Sequence, residues 1–170
     1  MRPGTGDNNP YYDRYISLIG DDEIIEVLEE QRKTSEKFLK TFTEKRGNYS
    51  YVDGKWTVKE VLGHVIDTER VMAYRALAFA RGEKQSLPGF EQDDYVAESN
   101  FNNRSLADMI HEFKTLRESN IILFKSFDEE IFKRRGIASE AEVTVLALIY
   151  IIAGHEKHHM NILRERYTEK

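Results

Sequence analysis

The sequence predicts an all-α protein, a four-helix bundle with a long crossover between its second and third helices. Three observations predict it. Apolar residues recur at helical spacing in four separate stretches, alternating strand patterns are almost absent, and about twenty residues, 83–104, divide the second stretch from the third. Helices of about 20 residues are each roughly 30 Å long, and none can bury its apolar stripe except against the others.

The 170 residues have room for one domain, read as 21–170, behind an N-terminal extension, 1–20. The extension carries Pro3, Gly4, Gly6 and Pro10, then Tyr11, Tyr12 and Tyr15, a stretch able to lie against the bundle. The first helix is expected from an N-cap at Asp21 to about Lys45, with Ile24, Val27, Leu28, Phe38, Leu39 and Phe42 in helical phase. The second opens at Thr57, which can cap the amide of Glu60 while the Glu60 carboxylate reaches back to the amide of Thr57, with Trp56 and Val61 as a hydrophobic staple. It continues through Val65, Met72, Ala76 and Phe79 to Gly82, a residue suited to the positive φ of a C-terminal cap.

The connection from Glu83 to Arg104 contains Leu87-Pro88-Gly89-Phe90 and is long for a small domain, which predicts a crossover that lays the second and third helices parallel. The third helix opens at Ser105, with Leu106, Met109, Phe113, Leu116, Leu123 and Phe127 as its stripe. After a loop around Gly136 the fourth runs from about Thr144 to Tyr167. Val143 to Ile152 is β-branched enough to be a strand if taken alone, but the helical phase of the residues beyond Ile152 decides against it.

Composition narrows the function classes. Hydrophobic residues at 40% and charged residues at 32% belong to a folded globular protein. With no cysteine, neither a disulfide nor a thiolate metal ligand exists, so a metal must be held by nitrogen and oxygen, and thiol chemistry needs an external thiol. The net charge of -5 arises from acids and bases mixed along the chain, without the basic stripe that nucleic acid demands. No 18-residue apolar run predicts a membrane span, and the first residues lack the apolar core of a signal peptide, so a cytoplasmic location is expected.

The fourth helix carries the chemistry. Steps of three and four from Val145 give Leu148, Ile152, His155, His159 and Ile162, so two histidines interrupt an apolar face four residues apart. Their β-carbons are then about 5–6 Å apart, close enough for both imidazoles to grip one ion, whereas a single histidine there would be a core residue satisfied by a hydrogen bond. His158 lies about 100° round the helix, toward the boundary or solvent. His64, at the edge of the inward face of the second helix, is the candidate third ligand, and His111 reads as a solvated residue. Three neutral imidazoles leave room for water or substrate on a divalent ion. The letters His155-Glu156-Lys157-His158-His159 also match H-E-x-x-H, but the eleven residues after His159 are too few to supply the downstream glutamate of one protease class, and the metzincin extension is absent, so the match reads as coincidental.

Polar residues also fall on inward faces. Glu69 lies on the stripe of Leu62, Val65, Ile66, Met72 and Ala76, where a lone carboxylate is costly; Arg117 and Asn120, or a ligand histidine, are its expected partners. A buried ion pair without chemical role is the plainer reading. Asp67, one turn from His64, either orients that ring's second nitrogen or is simply exposed. Phe90 and Tyr95 in the crossover either cover the open side of the site or seal a core.

Gly54-Lys55-Trp56-Thr57 leading to His64 with Asp67 and Glu69, together with a closing Gly154-His155-Glu156-Lys157-His158-His159-Met160-Asn161-Ile162, resembles the DinB/YfiT-like metalloprotein superfamily from about Ile25 to Tyr167. The resemblance implies His64, His155 and His159 as metal ligands, a bundle with an unusual crossover topology, zinc or nickel as the ion, and a homodimer. It also implies thiol S-transfer, thiol-dependent isomerisation or hydrolysis as activities.

Three functions stand as expectations. The first is a metal-dependent hydrolase acting on a small molecule, in which a nucleophile is activated at the ion and Glu69 or Glu156 assists proton transfer. The second is a thiol S-transferase using a low-molecular-weight bacterial thiol. The third is a non-catalytic stress-response bundle stapled by its metal.

Overall fold

A computed structural model of the chain describes residues 1–168. Four long helices form the bundle: α2 Ile24–Leu39, α4 Val58–Ala80, α6 Leu106–Lys125 and α8 Val145–Arg166. Short elements fill the connections: α1 Asp13–Ile16, α3 Glu44–Gly47, α5 Gln92–Ser99, α7 Glu129–Phe132, and a hairpin of β1 Arg135–Ala138 with β2 Ala141–Thr144. Each long helix packs on two others, α4 on α6 and α8, and α2 on α6 and α8.

The caps explain where the helices begin. Thr57 accepts from the amide of Glu60 at 3.1 Å while the Glu60 carboxylate accepts from the amide of Thr57 at 2.8 Å, the reciprocal pair the sequence predicts. Ser105 caps α6 and Thr144 caps α8 by the same side-chain acceptance. Gly82, at φ +86°, follows α4 in the conformation that glycine alone adopts cheaply.

Contacts along the helices fix their directions. Glu44 pairs with Lys59 near the start of α4 and accepts from the amide of Leu106 at the start of α6, so the long crossover returns the chain to the same end and these helices run parallel. Gln31 donates to the carbonyl of Ala153 and Ser35 to Glu156, which sets α2 parallel to α8. Glu29 pairs with Lys125 and Arg32 with Glu118, which sets α2 antiparallel to α6.

The core is divided. One apolar cluster gathers Leu28, Met72, Phe79, Phe124 and the stretch Val145–Ala153; another gathers Leu39, Val58, Val61, Leu62, Val65, Ile66, Met109, Phe113, Met160 and Leu163. Between them each long helix contributes polar residues: Ser35 from α2, His64, Thr68 and Glu69 from α4, Arg117 and Asn120 from α6, His155 and Glu156 from α8, all buried. The candidate site belongs to this polar layer.

Three local expectations are corrected. α2 is capped by Glu23, which accepts from the amides of Ile25 and Glu26, rather than by Asp21. The first helix does not continue to Lys45: it ends at Leu39, and Thr43 caps a separate turn, α3. The loop around Gly136 is a hairpin whose two turn residues, Ser139 and Glu140, both have positive φ, the conformation of a two-residue hairpin turn. Leu87 of the crossover bonds to its edge through Ile137 and Ser139.

Residues 1–20 lie against the bundle. Tyr15, Ile16 and Ile19 are buried, and the Arg2 guanidinium donates to the carbonyls of Ile16, Ile19 and Gly20. Among the described residues no helix is long and apolar enough to cross a membrane.

Candidate metal centre

α4 and α8 are antiparallel neighbours, so His64, two turns into α4, meets the second half of α8, where His155 and His159 lie one turn apart. The Nε2 atoms of His64 and His155 are 2.9 Å apart, and those of His159 and His155 are 3.1 Å apart. Among the described residues these three imidazoles form a group able to hold a metal, their ligand atoms all within 4.8 Å of one another. His64 and His155 are buried; His159 is partly exposed. Trp56 packs on the His64 ring at 4.9 Å between centroids, and Tyr15 on the His155 ring at 5.3 Å.

The chemistry of the donor set fits a cation. Each Nε2 carries either one proton or one lone pair in the ring plane, so His155 Nε2, facing two others, can make a sound hydrogen bond with only one of them. Two nitrogens at about 2.0–2.1 Å from one ion are necessarily less than about 4.2 Å apart, and both observed separations satisfy this. Burial, then the neighbouring His158, pushes His64 down to about 4. Burial, then His64 and His158, pushes His159 down to about 2, and His155 falls well below its ordinary value for like reasons. All three are therefore neutral near pH 7, with the lone pairs that ligation requires.

His158 lies between Tyr15 and His159, partly exposed and outside the group, and His111 is exposed. Asp67 does not orient His64; its charged neighbours are Arg70, Glu112 and Arg104, and burial raises its carboxyl above the ordinary range.

Glu69 and Glu156 converge on Arg117. The guanidinium donates to both oxygens of Glu69 at 2.8 Å and lies 2.6 Å from Glu156 through Nη2. Asn120 also donates to Glu69, and Ser35 donates to Glu156 at 2.5 Å. Burial opposes the charge on Arg117, but the two carboxylates outweigh it and raise the guanidinium above its ordinary value. For Glu156, burial dominates and raises the carboxyl, against the lowering effects of Arg117 and Ser35. The expected partners of Glu69 are thus both present, and Glu156 joins them from α8. This network ties all four long helices.

A cavity of about 300 Å³ adjoins His64 and His155. Its other walls include Tyr12 and Tyr15 from the N-terminal segment, Thr68 and Met72 from α4, and Phe90 from the crossover. Phe90 therefore lines the site, whereas the half-exposed Tyr95 packs on its far side. Neither Glu69 nor Glu156 lines this cavity; Glu156 forms part of the floor of a groove of about 450 Å³ between α2 and α8 that touches none of the three histidines. Tyr15 and Thr68 are site residues that sequence reasoning does not single out. Thr68 has a signal, its position one turn beyond His64, while Tyr15 belongs to a segment without periodicity.

The family model of the DinB superfamily matches residues 27–163. A protein of Oceanobacillus iheyensis named "Putative metal-dependent hydrolase OB0413" is 21% identical over 112 residues, which cover 65% of this chain and 64% of that relative's length. YfiT from Bacillus subtilis, described as "a probable metal-dependent hydrolase with an unusual four-helix bundle topology", superposes with a TM-score of 0.73 at 17% identity, covering 97% of this chain and 93% of that one. The mycothiol-dependent maleylpyruvate isomerase gives a TM-score of 0.68 at 9% identity, over 85% of this chain and 61% of its own. The structural likenesses carry the fold, and the family match covers the segment that holds all three histidines. The chain belongs to the DinB superfamily.

Proposed function

We propose that the protein is a metal-dependent hydrolase of small molecules in which His64, His155 and His159 hold one divalent ion, zinc or nickel. The observation that carries this reading is the mutual approach of three neutral imidazole nitrogens, which hydrogen bonds among themselves cannot satisfy. The name of the Oceanobacillus relative and the description of YfiT support the same class. An ion so held supplies Lewis acidity, polarising a carbonyl and lowering the pKa of coordinated water.

The chain's own residues do the rest. The imidazoles offer lone pairs without first losing a proton, because burial already keeps them neutral. Tyr12, Tyr15, Met72 and Phe90 give the adjoining cavity apolar surface against which a guest can pack, beside the polar Glu91 and Gln92. Glu69 and Glu156, engaged by Arg117, act by positioning: Glu156 anchors the turn of α8 that carries His155, and Glu69 fixes α4 one turn past His64. Their engagement supports this part better than direct proton transfer at the cavity.

Elemental analysis of protein purified without added metal tests the centre. About one equivalent is expected in the wild type, with loss in His64→Ala and His159→Ala; unchanged content in both variants overturns the reading. The likeness in fold to a mycothiol-dependent isomerase favours one rival, a thiol transferase, which must draw on an external thiol because the chain has no cysteine. Turnover of electrophiles by metal-loaded protein only when a low-molecular-weight thiol is supplied would replace hydrolysis by transfer.

A further inference from the structure

Among the described residues one lysine and two arginines are buried: Lys59, Arg75 and Arg117 are 2%, 3% and 0% exposed. Two of these cations have carboxylates. Lys59 pairs with Glu44, and Arg117 with Glu69 and Glu156, as the cost of burying a charge requires. Arg75 has no such partner among the described residues. Its Nη2 donates to the carbonyl of Pro88 at 2.7 Å and to the hydroxyl of Ser139 at 3.0 Å, and its Nη1 faces the sulfur of Met72 at 3.7 Å. The ring of Phe90 lies 6.0 Å from the guanidinium carbon. Burial accordingly pushes Arg75 below its ordinary value, opposed only by the Tyr12 hydroxyl, which lies near without completing a hydrogen bond. A clasp between the crossover and the hairpin accounts for the two Nη2 bonds, but both acceptors are neutral and a neutral donor could hold them. The full charge calls for something more.

The cavity beside Arg75 supplies it. About 310 Å³ in volume, it is lined by Arg75 and Arg70, with Tyr74, Phe90 and Tyr95 as aromatic walls, and no other lining residue carries a charge. Arg70 is already paired with Glu112 at 2.7 Å, which leaves Arg75 as the uncompensated cation. The Nε of Arg75 has no acceptor. It is also not among the sealed, unpartnered side-chain atoms of the fold, which belong to Gln31, Thr68, Arg117 and Glu156, so it keeps surface that a guest can reach. At about 30 Å³ for each water-sized atom, the cavity has room for roughly ten non-hydrogen atoms. Phe90 also lines the cavity beside His64 and His155, so the two cavities share a wall.

We propose that this cavity binds a small organic carboxylate, whose anion pairs with the Arg75 guanidinium while a flat apolar body packs among Tyr74, Phe90 and Tyr95. One uncompensated cation matches one carboxylate, and aromatic walls favour an organic acid over a strongly hydrated inorganic anion. The site stands on residues outside the metal centre and does not require the ion.

Benzoate fits the volume, and benzamide has its shape without its charge. The full chain is titrated at constant ionic strength with benzoate, benzamide and inorganic phosphate, and Kd is taken from ligand-observed NMR. Benzoate is expected to bind at least about tenfold more tightly than benzamide, the difference that hydrogen bonds to a charged group produce, and more tightly than phosphate. Arg75→Met should weaken benzoate about tenfold. Tyr74 is 60% exposed, so Tyr74→Ala leaves the core untouched and should weaken benzoate about threefold, which locates the site even if Arg75→Met does not fold. Benzoate should bind equally before and after treatment with a chelator.

No binding of benzoate, equal affinity for benzamide, or tighter binding of phosphate overturns the proposal. So does an unchanged benzoate affinity in folded Arg75→Met or in Tyr74→Ala. Loss of benzoate binding on chelation shows the carboxylate to be held by an ion and overturns it too, whereas a chain that carries no metal leaves every other outcome as stated.

Discussion

Replacing Arg117 by methionine isolates the strongest electrostatic commitment in the molecule. Arg117, Glu69 and Glu156 have side chains 0%, 2% and 1% exposed, so water cannot take over the role of the guanidinium once it is gone. The two carboxylates would retain only Asn120 and Ser35 as donors. Breaking a buried pair from one side costs about 3–5 kcal/mol, a large fraction of the roughly 5–15 kcal/mol by which domains are stable.

Urea denaturation at pH 7 should therefore show Arg117→Met destabilised by about 3–5 kcal/mol, and the triple variant Arg117→Met/Glu69→Leu/Glu156→Leu returned to near the wild-type value or above. The deficit of the single variant should also depend on pH. Burial already raises the Glu156 carboxyl, and without Arg117 the folded value rises further above the unfolded one, so the penalty is full at high pH and fades as pH falls toward the ordinary carboxylate range. A single-variant loss below about 1 kcal/mol, or a triple variant no better than the single, would refute the claim that charge compensation at Arg117 holds the layer together.

Other outcomes rest on the same geometry. In metal-free protein His64 is held near 4 when folded but takes a proton near 6.5 when unfolded, so its contribution is whole above pH 6.5 and is lost as pH falls to 4. The difference in stability between wild type and His64→Gln should shift by about 3 kcal/mol across that window, measured by denaturant titration at several pH values. Gly154→Ala would put a β-carbon 2.1 Å from the Tyr15 carbonyl oxygen, so the N-terminal segment must move; a loss of about 1–3 kcal/mol and faster tryptic cleavage at Arg14 are expected. Thr57→Ala removes half of the capping box and should cost about 1 kcal/mol in thermal or urea unfolding. Stripping the metal with a chelator should lower Tm by about 5–10 °C if the free ion stood near one hundred times its Kd.

The parts of the fold that can be read from sequence are those where one residue type has one local use. Thr57 with Glu60, Ser105 before Leu106, and Gly82 after α4 each satisfy helix-end groups without help from distant residues, and each is where the spacing places it. The hairpin turn is illegible for the opposite reason: Ser139 and Glu140 hold positive φ without the Asn-Gly type of sequence that ordinarily announces it. The end of α2 is similar. Phe38, Leu39 and Phe42 keep a helical phase across the break, so periodicity cannot see the cap at Thr43 that starts a new turn.

The site divides along the same line. His64, His155 and His159 are legible because polar residues at helical spacing on an apolar face need an explanation, and Glu69 with Arg117 and Asn120 for the same reason. The place of Glu156 is not, although its letter stands in plain view. From Val145 to Glu156 every residue of α8 is buried, so no polar face orients the helix, and adjacent residues diverge by about 100°. His155 thus turns toward α4 while Glu156 turns toward Ser35 and Arg117. The H-E-x-x-H spelling invites a shared function for neighbours that the helix turns toward different partners. A glutamate beside a metal-binding histidine in sequence acts on it here through the backbone they share, and the test is that Glu156→Gln alters metal affinity while adding no group to the cavity.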